Sequence, residues 1–90
     1  METNIVKKVN FREFEIKFDL DGKTVREDAR KVIGNFIYQN SHDLGVFDLS
    51  NKIYHSDGEI ELTHWEITTI KELVEKSYMI LPIKLALLNL

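Results

Sequence analysis

Hydrophobic and polar side chains alternate along residues 14–20, which read Phe-Glu-Ile-Lys-Phe-Asp-Leu. Alternation with period two is typical of a strand that buries one face. The pattern therefore predicts a strand whose core-facing side chains are Phe14, Ile16, Phe18 and Leu20. Asp21-Gly22 follows and is a strong signal for a tight turn, so we expect a hairpin whose second strand runs over residues 23–26.

A helical period begins soon after the hairpin. Apolar residues recur with the spacing i, i+3, i+4, i+7 and i+8 of one helix face; they are Ala29, Val32, Ile33, Phe36 and Ile37. The spacing predicts a helix over about 27–40 that ends near Asn40, with Thr24 and Glu27 as a candidate capping box. Gly34 lies in its middle, where glycine costs about 1 kcal/mol relative to alanine, so we expect another element to approach closely there.

The middle of the chain has weaker signals. Asp43 and Asp48 are alternative N-caps for a short helix, whose apolar residues would be Leu49, Ile53 and Tyr54. Farther on, Ile60 and Leu62 alternate with glutamates, a pattern that predicts a short strand.

The last third of the chain begins with a clear helix signal. Thr63 and Glu66 have the spacing of a capping box, and the apolar stripe that follows is Ile67, Ile70, Val74 and Leu81. Pro82 must end or kink this helix. Ten of the thirteen residues over 78–90 are apolar, and Lys84 is the only charged one. We therefore predict a long, kinked, apolar C-terminal helical region.

Together these elements predict an α+β fold, in which a small N-terminal β-hairpin sheet packs against two or three helices. With ninety residues, 43% of them hydrophobic and 30% charged, the chain is expected to form one globular domain spanning residues 1–90. Cysteine is absent and the N-terminus has no signal-peptide pattern, which favours a cytoplasmic protein.

The charge distribution does not favour nucleic acid as a partner. The net charge is −3; residues 1–45 carry eight basic and eight acidic side chains, and residues 46–90 carry four and seven. Neither half has the basic surplus that binds phosphate backbones. Phe14 and Phe18 on one strand face nevertheless follow the pattern of a nucleic-acid-reading sheet. Core packing of this pair is the favoured interpretation, because Glu15 and Asp19 occupy the other face. A small nucleic-acid-binding regulator with a helical reader is our alternative hypothesis.

We predict no catalytic, cofactor-binding or metal site. In Asp19-Leu20-Asp21-Gly22 the glycine comes two positions too early for a calcium loop. The three histidines, His42, His55 and His64, lack the i, i+4 spacing of a helical metal site and are expected in surface loops. Ser41-His42-Asp43 contains the residue types of a catalytic triad, but the side chains of neighbouring residues point apart. We therefore expect a protein that is not an enzyme; a composite site built by the fold is the remaining alternative.

The apolar C-terminal run is the feature most relevant to function. It is too short to span a membrane, which takes about 20 apolar residues. A helix that is apolar on every side must be buried, either at the centre of its own domain or against a second chain. The second reading predicts a non-catalytic protein–protein interaction or assembly module, whose partner is another protein chain, a second copy of itself included. The candidate interface residues are Trp65, Ile80, Ile83, Leu87, Leu88 and Leu90.

The chain as a whole resembles small accessory proteins encoded by phages and prophages. The resemblance is carried by the hairpin with Asp21-Gly22-Lys23 and by Gly58-Glu59-Ile60-Glu61-Leu62-Thr63, which leads into an acidic amphipathic helix. It assigns no functional residue.

Overall fold

The structure is a computed structural model that describes residues 5–90. Its elements are, in chain order, β1 (Ile5–Asn10), β2 (Phe14–Ile16), β3 (Val25–Glu27), α1 (Arg30–Gln39), α2 (Leu44–Tyr54), β4 (Glu59–Thr63), α3 (His64–Glu75) and α4 (Leu81–Leu88). The predicted α+β class is confirmed, with two small antiparallel sheets and four helices among these residues.

The predicted hairpin forms, but its first strand is shorter than the sequence pattern. β2 pairs with β3, and Phe14 and Ile16 are buried as predicted. The prediction is wrong for Phe18 and Leu20, which are 46% and 102% exposed. β3 has only three residues, so the chain beyond Ile16 has no strand partner and continues as the loop 17–24.

The turn and the returning strand also differ in position. Gly22 has a φ of +97°, and its N–H donates to the Asp19 carbonyl at 3.2 Å, which confirms a turn at Asp21-Gly22. The second strand runs over 25–27 instead of 23–26. Glu27 pairs with Phe14 inside the sheet. The Thr24–Glu27 capping box is therefore not formed, and α1 begins at Arg30.

A second sheet pairs the first strand with a strand from the second half of the chain. β1 pairs with β4, with Val9 opposite Ile60. Between β1 and β2, the Asn10 side chain accepts from the backbone N–H groups of Arg12 and Glu13 at 3.0 and 3.1 Å, which reverses the chain. The sequence patterns predicted the strand at β4 but not its partner.

Helices α1 and α2 pack on each other through the predicted apolar positions. Ile33 and Ile37 of α1 are fully buried, whereas Val32 of the same predicted stripe is exposed. Asn40 ends α1 as predicted. Asp43, the first of the two candidate caps, accepts from the Val46 N–H at 2.9 Å and begins α2.

The predicted capping box of α3 is confirmed. The Thr63 hydroxyl accepts from the Glu66 N–H at 3.1 Å, and the Glu66 carboxylate accepts from the Thr63 N–H at 2.9 Å. Lys52 of α2 also contacts this capping box. Its Nζ lies 2.9 Å from Glu66 Oε1 and donates to the Glu61 carbonyl at 2.6 Å. The start of α3 is thereby fixed to α2 and β4.

The C-terminal region is two helices instead of one long kinked helix. α3 ends at Glu75, residues 76–80 are not helical, and α4 begins at Leu81. Pro82 lies in the first turn of α4, where a missing N–H leaves no intrahelical bond unmade. Proline therefore begins a helix here, and Leu81 is not part of the α3 stripe. Among residues 5–90, no helix has the length and apolar character needed to cross a membrane.

Candidate interaction surface

Helix α4 has two apolar faces with different surroundings. On one face Leu87 is fully buried, and Ile83 and Leu90 pack against the core. On the other face Leu81 and Leu85, separated by one helical turn, are 61% and 49% exposed. The interpretation that places the segment in the core of its own chain therefore holds for one face of α4, while the other face presents an apolar stripe to the outside.

The exposed stripe forms one wall of a groove. The loop 17–24 forms the other wall, and the cavity between them measures about 510 Å³. Apolar side chains of both walls line it. We call this the hairpin–α4 surface and define it by Phe18, Leu20, Leu81, Pro82, Leu85 and Ala86.

Few charges border the hairpin–α4 surface. On the loop side, Lys17 and Asp19 contribute one charge of each sign, while the nearby Glu15 carboxylate lies 3.4 Å from the Arg26 guanidinium. The only charged side chain of α4, Lys84, donates to the Ser77 carbonyl at 3.2 Å and so holds the α3–α4 connection. The groove between the two walls is therefore apolar and close to neutral.

The candidate interface residues from the sequence fall in three places. Ile80 is exposed and precedes Leu81 directly in the chain. The side chains on the core side of α4 are Ile83, Leu87 and Leu90, and Leu87 is inaccessible to a partner. Leu88, three positions after Leu85, is partly buried and packs against the core as well. Trp65 is half exposed and does not line the groove; it lies beside Gly45, where a Cβ would stand 3.4 Å from its ring.

The candidate interface residues do not include those that line the groove, although Leu81 and Leu85 lie in the apolar run predicted to make the contact. Leu81 and Leu85 have i, i+4 spacing on the side of α4 opposite Leu87, but Ile83 and Leu87 have the same spacing, so it did not distinguish the exposed face. For Phe18 and Leu20 no sequence signal existed, because their period-two phase matched the buried residues of β2.

A second, smaller cleft lies between α1 and α2. Its volume is about 290 Å³, and its rim includes the Tyr38 and Phe47 rings, whose centroids are 5.8 Å apart. Asn35 and Asn51 contribute amide groups to the same lining. This cleft is less apolar than the groove at α4.

Two of the three residues in the Ser41-His42-Asp43 run bond to backbone groups at helix ends. Asp43 caps α2 through the Val46 N–H, and the Ser41 hydroxyl donates to the Ile37 carbonyl at 2.7 Å. His42, the remaining member of that run, is exposed. Over residues 5–90 no cluster of three or more potential metal ligands is present.

We compared the chain with protein-family models, with curated proteins and with solved structures. None of the three comparisons found a match. The geometry of the chain itself is therefore what supports a function.

The arginines bear on the nucleic-acid hypothesis. Each of the three, Arg12, Arg26 and Arg30, lies within 4 Å of a carboxylate. The closest pair is Arg30 with Asp28 at 2.7 Å, and the guanidinium hydrogen bonds lower the pKa of Asp28 to about 2. Arg30 also donates to the Ser56 carbonyl at 2.7 Å. The charge of each arginine is therefore offset by a neighbouring carboxylate, which does not favour an arginine face for phosphates.

Proposed function

We propose that the protein is a non-catalytic protein–protein interaction or assembly module that binds its partner on the hairpin–α4 surface. The observation that carries the proposal is the contrast between the two faces of α4, of which one is buried and the other is exposed. Leu87 anchors one face in the core, while Leu81 and Leu85 on the other face stand across a groove from Phe18.

Burial energetics support a docking role for this surface. Burying one large apolar side chain contributes about 1.5–3 kcal/mol relative to full exposure. Phe18, Leu20, Leu81 and Leu85 each keep about half or more of their surface exposed. Contiguous apolar surface of this kind is typical of interaction sites.

The way α4 is anchored also favours binding. Its Leu81–Leu85 stripe is held by the core contacts of Leu87 on the opposite face, so a partner meets a helix that is already in place. Preformed surfaces lose less conformational entropy on binding than segments that must first become ordered.

Site-specific photocrosslinking in the cells that make the protein tests the proposal. Leu85 is replaced by p-benzoylphenylalanine, and the same replacement at Lys31, an exposed position of α1, is the matched control. We expect protein adducts from position 85 and not from position 31. Adding Leu81→Glu should abolish them. No adduct from position 85, or equal adducts from both positions, would contradict the proposal.

A further inference from the structure

We infer that the partner on the hairpin–α4 surface is a second copy of this chain, held in a two-fold contact that places the Leu81–Leu85 stripe of each copy in the groove of the other. The inference rests on the proposed function and names its partner. Three features of the surface support it: its area, its shape and its charge.

The exposed apolar area reaches what a small dimer interface needs. The hairpin–α4 surface exposes four large apolar side chains, and their exposed fractions are equivalent to about two and a half fully exposed ones; the four are Phe18, Leu20, Leu81 and Leu85. At roughly 200 Å² for each large side chain, this amounts to roughly 500 Å² per copy and roughly 1,000 Å² for the two copies together, the lower bound for a specific interface.

The shape of the surface is complementary to itself. A two-fold contact uses the same patch on both subunits, so the patch must contain both a projecting element and a space that receives it. Here the projecting element is the Leu81–Leu85 stripe, and the receiving space is the groove beside it.

The charges around the groove also suit a second copy. Lys17 and Asp19 are the charged groove residues without an ion pair inside the hairpin, and their charges cancel. In a two-fold contact, Lys17 of one copy can face Asp19 of the other. A strongly acidic or strongly basic partner would find no surplus of opposite charge on this surface.

Thiol crosslinking of the purified protein tests the inference, because the chain contains no cysteine and an introduced one is the sole thiol. Leu85→Cys and Leu81→Cys place it on the stripe, and Lys31→Cys places it on an exposed position of α1 as the control. Each variant is treated with a short bis-maleimide after circular dichroism has verified its fold.

We expect the stripe variants to give a product of twice the 10.6 kDa chain mass. Their crosslinking should be on the order of a hundredfold faster than that of Lys31→Cys, because thiols held in a complex react at millimolar effective concentration. Equal, slow crosslinking of all three variants overturns the inference. If photocrosslinking at position 85 then captures a different protein, the proposed function stands without self-association; if it captures nothing, both fail.

Discussion

Gly34 of α1 lies directly against Tyr54 of α2: a Cβ on Gly34 would stand 2.8 Å from the Tyr54 Cβ. The Tyr54 Cα and the Ser50 carbonyl oxygen would be at 3.1 and 3.2 Å, so backbone as well as side chain blocks the space. The close approach expected from the mid-helix glycine is therefore present. Glycine at this position allows α1 and α2 to pack at their observed distance.

We expect Gly34→Ala to destabilise the protein although alanine is the better helix former. Overpacking costs about 1–3 kcal/mol, and it opposes a gain in helix propensity of about 1 kcal/mol. Urea unfolding measures the difference. Gly58→Ala is the control: a Cβ there meets no atom within 4 Å, and we expect a change within about 0.5 kcal/mol. A Gly34→Ala variant more stable than wild type would show that the helices can move apart freely.

The capping box at the start of α3 gives a second prediction. Thr63→Ala removes the acceptor for the Glu66 N–H and should lower the free energy of unfolding by about 1 kcal/mol. Thr63→Ser keeps a hydroxyl at the same position and should retain most of the stability. Chemical denaturation of both variants checks this, and equal losses would mean that the hydroxyl is not what matters.

Two phenylalanines, one just before β2 and one just after it, should respond differently to replacement by alanine. Phe11 is fully buried and stacks on Phe14 at a centroid distance of 5.3 Å, so Phe11→Ala should cost about 3–5 kcal/mol. Phe18 is nearly half exposed at the groove, so Phe18→Ala should cost about 1 kcal/mol in the monomer. Thermal melting compares them, and the reverse order would place Phe18 in the core.

The Asp28–Arg30 pair gives a pH prediction. The folded-state pKa of Asp28 is about 2, below the ordinary value of 3.8, mainly because its carboxylate accepts hydrogen bonds from the Arg30 side chain. The ionised form thus stabilises the fold fully above about pH 4, and the stabilisation disappears as the pH falls towards 2. Asp28→Asn should melt below wild type at neutral pH, with the gap closing at low pH. A gap that is constant from pH 7 to 2 would exclude this linkage.

Local signals predicted the parts of the fold that are held by local contacts. The caps at Asp43 and Thr63 bond backbone groups within three residues. The short-range pattern identified Thr63 and reduced the cap of α2 to Asp43 or Asp48. The 3.6-residue period also predicted most buried apolar positions of α1 and α3, although Val32 is exposed and Leu81 lies beyond the end of α3.

The other parts of the fold could not be predicted from the sequence because they depend on pairing between distant residues. Val9 and Ile60 pair across 51 positions of sequence, and no periodicity within either strand specifies that partner. The alternating pattern also continues past Ile16 although the partner strand does not, which is why Phe18 and Leu20 were assigned to the core. The sequence did not indicate which side of α4 is exposed, for a related reason. The helix is apolar all round, so only its neighbours decide which face is covered.

The choice of residue decides whether a test of α4 is informative. Leu87→Glu would put a charge at a fully buried position and unfold the monomer, so its loss of association would say nothing about an interface. Leu85→Glu changes a residue that is already half exposed, and we expect it to keep the wild-type fold.

Light scattering of wild type and Leu85→Glu over the same series of concentrations is the most direct measurement. The wild-type mass should rise from 10.6 kDa towards twice that value, and the Leu85→Glu mass should stay at 10.6 kDa with an unchanged circular dichroism spectrum. A wild-type mass of 10.6 kDa at every concentration, or a dimer that persists in Leu85→Glu, would contradict self-association through the hairpin–α4 surface.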